Sequence, residues 1–214
     1  DVSTLTINKE LTSQLRSAIE DNFVYTTYID TQGTLWASTT TVPLVKVSLR
    51  TMKAQNINID PTLSKKISNG LQIMCMCEDK DTHNILFGVP GLGLLLYDYE
   101  VNTVRETRGY SGHVAPRTLI HTKLGDIFIG TDNAGIFEYD RNSETIKPVG
   151  WEVPGLDLAV SKVHHLTEDS AGNLVATLYQ SGVLIVPSYA SKLTFVPVSR
   201  TGNGINSSPV SCLL

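Results

Sequence analysis

Some side chains in this 214-residue chain have types and spacing that could support chemistry. Cysteine and histidine are the usual ligands of zinc, and paired carboxylates can share the work of a general acid and a general base. The candidates are the Cys-x-Cys pair Cys75 and Cys77, the neighbours His164 and His165, and the acidic pairs Glu78-Asp79 and Glu168-Asp169. Each of these groups has to be weighed as a metal or catalytic site against an ordinary structural role.

The cysteines and histidines lack the spacing of a metal site. Cys75 and Cys77 are alternate residues of a predicted strand, which puts both side chains on one face about 7 Å apart. A disulfide needs Cα atoms closer than about 6.8 Å, and no second Cys or His pair at metal-site spacing accompanies them. His164 and His165 point to opposite faces of a strand, so they cannot bind one metal from there. We expect the two cysteines to be small hydrophobic residues of the core.

The acidic pairs have a structural explanation. Both pairs come just before a turn, where an Asp side chain accepts backbone N–H bonds. The sequence contains no Gly-x-Ser-x-Gly elbow, phosphate-binding loop or dinucleotide fingerprint. We therefore expect no catalytic residue, no bound metal and no cofactor in this chain.

The elements that carry these residues are set by a repeat. A turn residue opens a short apolar run, and nine positions later a second apolar run begins. The pairs are Thr34 and Pro43, Asn84 and Gly93, Asp126 and Gly135, and Asn173 and Gly182. Steps of 50, 42 and 47 residues separate the copies, and periods in this range indicate solenoids, propellers or arrays.

Each copy is predicted to form four antiparallel strands. The second and third strands are nearly continuous apolar runs, such as residues 127–129 and 183–186, whereas a sheet wetted on one face would alternate apolar and polar residues. Strands that are apolar on both faces indicate a small sheet packed between two others, as in the radially stacked blades of a β-propeller. The predicted fold is all-β, a partial ring of four four-stranded antiparallel blades.

The predicted organisation covers residues 1–214 as one partial propeller. The blades are expected at about 23–69, 70–112, 113–159 and 160–203, with residues 1–8 as the outer strand of a preceding blade and 204–214 as the start of a following one. Residues 9–20 carry apolar residues at helical spacing and predict a short helix. We expect the chain to be a piece of a longer protein, and we expect its uncovered blade faces to self-associate.

Composition excludes several functional classes. The net charge of −4 and the absence of a Lys/Arg-rich run argue against nucleic acid as a partner. No apolar stretch approaches the roughly 20 residues that a membrane span needs, so any membrane contact is expected only through a parent protein.

The repeats resemble a known family. Residues 30–39 read DTQGTLWAST and residues 168–177 read EDSAGNLVAT, while Gly93-Leu94 with Tyr97-Asp98 and Gly135-Ile136 with Tyr139-Asp140 follow in other copies. This pattern resembles the two-component regulator propeller repeat. Trp36 occurs in the first copy alone, and Pro43 stands where the other copies have the hairpin glycine.

The resemblance implies a non-catalytic sensor. Proteins with this repeat are typically periplasmic sensor regions of hybrid two-component systems, in which oligosaccharides bind and a histidine kinase lies beyond the membrane. Its partners would be the remaining blades of the propeller and downstream sensor domains. The alternatives are a protein-interaction scaffold and a propeller enzyme such as a polysaccharide lyase or hydrolase.

The predicted ligand-binding residues come from the loops on one face of the propeller. This face carries the hairpin between the second and third strands and the loop that enters the innermost strand. Aromatic rings beside amides and an arginine suit sugar rings, which offer C–H faces and hydroxyls. The residues are Tyr110, His113, Arg117, Asp132, Asn133, Trp151, His164, Tyr179 and Gln180.

Overall fold

The computed structural model describes residues 8–21, 23–68, 72–108, 114–188, 193–198 and 204–205. Within these ranges the chain forms strands and two short helices. The helices are α1 (Lys9–Ile19) and α2 (Pro61–Ser68). The strands are β1 (Val24–Ile29), β2 (Thr34–Thr39), β3 (Val45–Ser48), β4 (Lys53–Gln55), β5 (Asn58–Ile59), β6 (Cys75–Glu78), β7 (Ile85–Val89), β8 (Gly93–Asp98), β9 (Thr103–Glu106), β10 (Pro116–His121), β11 (Ile127–Thr131), β12 (Ile136–Asp140), β13 (Thr145–Pro148), β14 (Val163–Glu168), β15 (Leu174–Leu178), β16 (Gly182–Val186) and β17 (Thr194–Pro197).

The strands form four sheets that follow the chain. Blade 1 is β1-β2-β3-β4, blade 2 contains β6-β7-β8-β9, blade 3 is β10-β11-β12-β13 and blade 4 is β14-β15-β16-β17. The innermost strands contact one another in series, β1 with β6, β6 with β10, and β10 with β14. The all-β class and the four antiparallel blades are confirmed, and the described residues form an open arc of a propeller.

The strands that are apolar on both faces are packed between two neighbouring blades, as the sequence predicted. In blade 2, Phe87 packs into the cluster that contains Trp36 of blade 1, while its neighbour Leu86 packs into the cluster that contains Ile127 and Ile129 of blade 3. Alternate residues of one strand therefore belong to two different cores. Burying each such side chain stabilises the fold by about 1.5–3 kcal/mol.

The first helix matches its prediction, and the second was missed. The Asn8 side chain accepts the Leu11 N–H at 3.0 Å and caps α1. The second helix starts with Pro61 at its first position, where the lack of an N–H costs nothing. It buries Leu63 and Ile67, and two apolar residues in one short helix gave no periodic signal.

Blade 2 also differs from the predicted four strands. Strand β5 runs parallel to β9, with Asn58 opposite Thr103 and Ile59 opposite Val104, so this sheet has five strands. The segment that leaves blade 1 thus covers the outer edge of blade 2. The covered positions Thr103 and Val104 cannot pair with another chain.

Some predictions concern residues that the structure does not describe. The expected outer strand over residues 1–8 lies outside the described residues except for Asn8. The expected inner strand over residues 204–214 lies outside them except for Gly204 and Ile205, and Ile205 bridges Val198 in parallel. The proposed limits of the four blades stay a prediction.

A staple joins neighbouring blades on the side of the turns between first and second strands. Glu78, at the end of β6, accepts the Thr31 N–H of blade 1 at 2.8 Å. In the same way Glu168, at the end of β14, accepts the Lys123 N–H of blade 3 at 2.9 Å. These contacts give the first residue of each acidic pair a structural role.

Candidate ligand site at the mouth of the arc

The innermost strands carry an irregularity at one repeated position. The register shifts between Val24 and Thr26, between Pro116 and Thr118, and between Val163 and His165. A β-bulge adds one residue to a strand and changes the direction of its side chain, and bulges are common beside binding sites. The added residues are Tyr25, Arg117 and His164.

Blade 2 has Met74 at the equivalent position. Strand β6 begins one residue later, and the Met74 N–H donates to Gly88 O at 2.9 Å. Each of these four residues stands five positions before the residue that opens the next turn, which is Asp30, Asp79, Thr122 or Asp169. All four are at least partly exposed. We call this set the bulge positions: Tyr25, Met74, Arg117 and His164.

The hairpin between the second and third strands is tied to the bulge in the same way in three blades. Thr40 N–H donates to Phe23 O at 3.3 Å, and Asp132 N–H donates to Ala115 O at 2.9 Å. In blade 4 the Tyr179 N–H donates to Lys162 O at 2.9 Å. These bonds hold the hairpin residue beside the bulge position of its own blade. We call the face formed by the hairpins and the bulge positions the mouth.

In blades 3 and 4 the mouth brings reactive side chains together. Arg117 Nη1 lies 3.4 Å from Asp132 Oδ2. The His164 and Tyr179 rings stack, with centroids 5.1 Å apart and an interplanar angle of 15°. Lys162 Nζ lies over the Tyr179 ring at 5.7 Å from its centroid. The site thus offers aromatic rings, two cations and one carboxylate.

The electrostatics of the mouth favour a neutral His164. Burial holds the pKa of His164 below its ordinary value of 6.5, and the positive charge of Arg117 lowers that pKa further. Asp132 opposes this decrease, and Lys162 adds to it. A neutral imidazole can donate from one nitrogen and accept at the other, which suits a hydroxyl group.

The remaining predicted ligand residues do not all join this group. Asn133 Oδ1 accepts the Ala115 N–H at 3.1 Å, so it supports the hairpin of blade 3. Gln180 is exposed in the hairpin of blade 4 with φ 56°. Trp151 is half-buried and packs on Phe128, with ring centroids 5.5 Å apart, at the core between blades 3 and 4. Tyr110 and His113 lie outside the described residues.

Sequence reasoning missed Tyr25, Met74 and Lys162. Tyr25 and Met74 could have been found by their constant offset of five residues from the turn. Lys162 is exposed just before β14, and no signal in the sequence separates it from other surface lysines. A ligand-binding role for any of these residues stays a prediction.

One cluster of possible metal ligands is paired with an arginine side chain. Asp79, Asp81 and His121 place ligand atoms within 4.8 Å of one another. The Arg141 guanidinium lies among them, with Nε 2.7 Å from Asp79 Oδ2 and Nη2 3.0 Å from Asp81 Oδ2. This network joins blades 2 and 3, and Arg141 supplies the positive charge there.

The cysteines are packed in the core. Cys75 and Cys77 are buried and free. Burial raises the pKa of Cys77 to about 12 and that of Cys75 above its usual range. Both thiols are therefore protonated and unreactive at neutral pH.

The fold and the mouth define a segment of a β-propeller, and comparison with known proteins agrees with that class. The extracellular domain of a putative hybrid two-component system from B. thetaiotaomicron superimposes with a TM-score of 0.66 at 16% identity, over 89% of this chain and 24% of that chain. A second such domain from B. thetaiotaomicron gives a TM-score of 0.61 at 20% identity, over 85% of this chain and 23% of that one. Virginiamycin B lyase from Staphylococcus aureus gives 0.63 at 15% identity, over 85% of this chain and 57% of that chain.

These similarities establish the propeller fold. The chain spans about a quarter of the length of the two-component domains that it matches. No protein-family model matches the chain, and no curated protein does. In the part of the chain that the structure describes, neither helix has the length and apolarity to cross a bilayer.

Proposed function

We propose that this chain is a non-catalytic segment of an extracytoplasmic sensor propeller that binds an oligosaccharide at the mouth. The observation that carries the proposal is the bulge repeated in blades 1, 3 and 4, which places one residue of each of these blades beside its hairpin at the mouth. The solved structures with this fold include extracellular domains of putative hybrid two-component systems. A histidine kinase outside these residues would receive the signal.

The side chains of the mouth suit a saccharide. A sugar ring presents C–H groups on its faces, which pack on aromatic rings, and hydroxyls around its edge. The stacked rings of His164 and Tyr179 supply the aromatic surface. Arg117 and Asp132 supply a donor and an acceptor for hydroxyls.

Two other functions remain to be tested against this one. The lyase similarity makes an enzyme a second candidate, and a neutral His164 beside Arg117 has the form of a general base. An interaction scaffold is the third, because the innermost strand of blade 1 exposes Tyr25 and Ile29, and Phe23 just before it is also exposed. We propose that the remaining blades of a longer protein cover this strand.

Calorimetric titration of the 214-residue chain with a panel of oligosaccharides tests the proposal. We expect Tyr179→Ala and His164→Ala to abolish binding because each removes one ring of the stacked pair. Leu124→Ala is the control, since Leu124 is a large exposed side chain that lies away from the mouth, in a turn between first and second strands. Mass spectrometry of the same mixtures would detect cleaved products.

The outcomes separate the three functions. Binding that depends on Tyr179 without product formation supports the sensor. Product formation that His164→Ala abolishes would move the assignment to an enzyme. No binding by any saccharide would contradict the proposal and favour the scaffold.

A further inference from the structure

We infer that the saccharide bound at the mouth carries a negative charge, as a carboxylate or a sulfate, between Arg117 and Lys162. This inference rests on the proposed function and names the class of its ligand. It comes from the charges of the mouth, which differ from those of the chain as a whole. The chain has a net charge of −4, yet blades 3 and 4 present two cations to one site.

Lys162 is the first of these cations. Its carbonyl anchors the Tyr179 N–H, and its ammonium lies over the Tyr179 ring. The equivalent positions of the other blades hold Phe23, Gln72 and Ala115, so a cation occurs there in blade 4 alone. Among the ion pairs of the described residues, none involves Lys162. Its ammonium therefore keeps donors for a ligand.

Arg117 is the second cation. A guanidinium has five N–H donors, and the ion pair of Arg117 in the described residues is a single contact of 3.4 Å with Asp132. That distance is long for a charge-assisted hydrogen bond, which is about 2.7–2.9 Å. Asp132 thus leaves most of the guanidinium available. A carboxylate or sulfate accepts two parallel N–H bonds from such a group.

The two cations act on the same place. The positive charges of Arg117 and Lys162 both lower the pKa of His164, so both lie within electrostatic reach of its ring. His164 stays neutral and adds no charge of its own. An anionic group beside His164 would lie within electrostatic reach of both cations, while the stacked rings hold the body of the sugar.

The Asp21 carboxylate in blade 1 favours one orientation of an anionic ligand. Asp21 accepts hydrogen bonds from the Thr41 N–H and the Phe23 N–H beside the hairpin of blade 1. These bonds hold the pKa of Asp21 below its usual range, so it is charged at neutral pH. A ligand anion would be repelled at blade 1 and attracted at blades 3 and 4.

Matched pairs of saccharides test the inference. The probes are uronic acid oligosaccharides with their methyl esters, and sulfated oligosaccharides with their desulfated forms, titrated into the 214-residue chain. We expect at least one acidic member to bind ten or more times as tightly as its neutral partner at low salt. The ratio should fall as salt rises, because exposed charges are screened.

Three variants locate the effect. Lys162→Gln should weaken binding of the acidic partner more than binding of the neutral partner, and so remove most of the acidic preference. Asp132→Asn should strengthen binding of the acidic partner, because it removes the competing carboxylate and frees Arg117. Lys53→Gln is the control, since Lys53 is an exposed lysine of an outer strand.

Each outcome decides a different point. Equal binding of acidic and neutral partners would overturn the inference and leave the proposed function standing. An acidic preference that Lys162→Gln does not change would also overturn it, because the charge would be read elsewhere. Binding by no member of either series would overturn the inference, and titration with the wider panel of oligosaccharides decides separately whether the proposed function stands.

Discussion

Gly130 of blade 3 packs closely against Val163 of blade 4, and a single methyl group there tests the packing that positions the mouth. A Cβ added at Gly130 would lie 2.6 Å from Thr118 Cγ2 and 2.6 Å from Val163 Cγ1. Favourable carbon contacts lie at about 3.5–4.0 Å. Gly130 does not have a positive φ, so its backbone accepts alanine and the cost is steric.

The expected magnitude follows from two opposing effects. Overpacking a tight core costs about 1–3 kcal/mol. Alanine also restricts the unfolded chain and returns about 0.4–1 kcal/mol. We therefore expect Gly130→Ala to lower the free energy of unfolding by about 1–2 kcal/mol. For a protein of this size, each kcal/mol shifts the Tm by about 2–4 °C.

Urea denaturation of three variants gives the test. Gly150→Ala is the matched control, because nothing lies within 4 Å of the added Cβ and its φ is also not positive. Val163→Ala alone should cost about 2 kcal/mol for two buried methyl groups. The double variant should cost about 1 kcal/mol less than the sum, because Val163 no longer obstructs the new methyl group.

The result also bears on the site. Val163 precedes the bulge residue His164, and Thr118 follows the bulge residue Arg117. A displaced Val163 should therefore weaken ligand binding in Gly130→Ala more than in Gly150→Ala. Equal stability of these two variants, or strict additivity in the double variant, would refute the packing that we describe.

Three further changes test the staples, the electrostatics and the uncovered strand. In urea denaturation, Glu78→Gln should lower the free energy of unfolding by about 1 kcal/mol more than Glu168→Gln does. Buried Glu78 accepts hydrogen bonds from the Thr31 N–H and hydroxyl, whereas Glu168 accepts one N–H in the described contacts. Equal losses in the two variants would contradict this. In an NMR titration His164 should have a pKa below 6.5, and Arg117→Met should raise that pKa. Because the unfolded chain then binds a proton more readily than the folded one, the contribution of His164 to stability should fall as the pH drops below about 6.5. An unchanged pKa in Arg117→Met would remove Arg117 as a cause. Ile29 is 60% exposed, whereas Glu78, the residue at the same position of blade 2, is buried against blade 1. We therefore expect Ile29→Lys to reduce self-association in analytical ultracentrifugation. A wild-type chain that is monomeric at all concentrations would exclude such association.

The blades were predictable because their cause is local. A strand packed between two sheets has to be apolar on both faces, and runs such as Ile127 to Ile129 record this directly in the sequence. The helix α2 and strand β5 were not predictable in this way. Their stability comes from Leu63 and Ile67 contacting the core of blades 1 and 2, and from pairing with β9 about 45 residues away. Such contacts leave no periodic pattern in a short segment.

The sequence predicted the face on which the candidate site lies better than it predicted the residues that form the site. Arg117, Asp132, His164 and Tyr179 could be placed on one face because the hairpins and the entries to the innermost strands share that face in a propeller. No particular residue type marks a bulge, so the alternation of apolar and polar residues does not show which side chain the bulge redirects. Tyr25 and Met74 were missed for this reason. The packing of Trp151 on Phe128 was not predicted, because it depends on the path of a long loop.

The staples and the mouth lie at opposite ends of the innermost strands, and this separation bears on how binding could be transmitted. Glu168 holds the turn of blade 3 at the end of β14, whereas His164 lies near its start. At the staple end, the spacing between blades 3 and 4 is fixed by a hydrogen bond. At the mouth end the Gly135 N–H donates to Ser161 O at 2.9 Å, so the hairpin of blade 3 is also tied to the segment that enters blade 4. A ligand that contacts both Arg117 and His164 would therefore act on two blades that are already held at both ends. Its binding would stabilise the contact between blades 3 and 4 rather than open it, and urea denaturation with and without the ligand would measure that stabilisation.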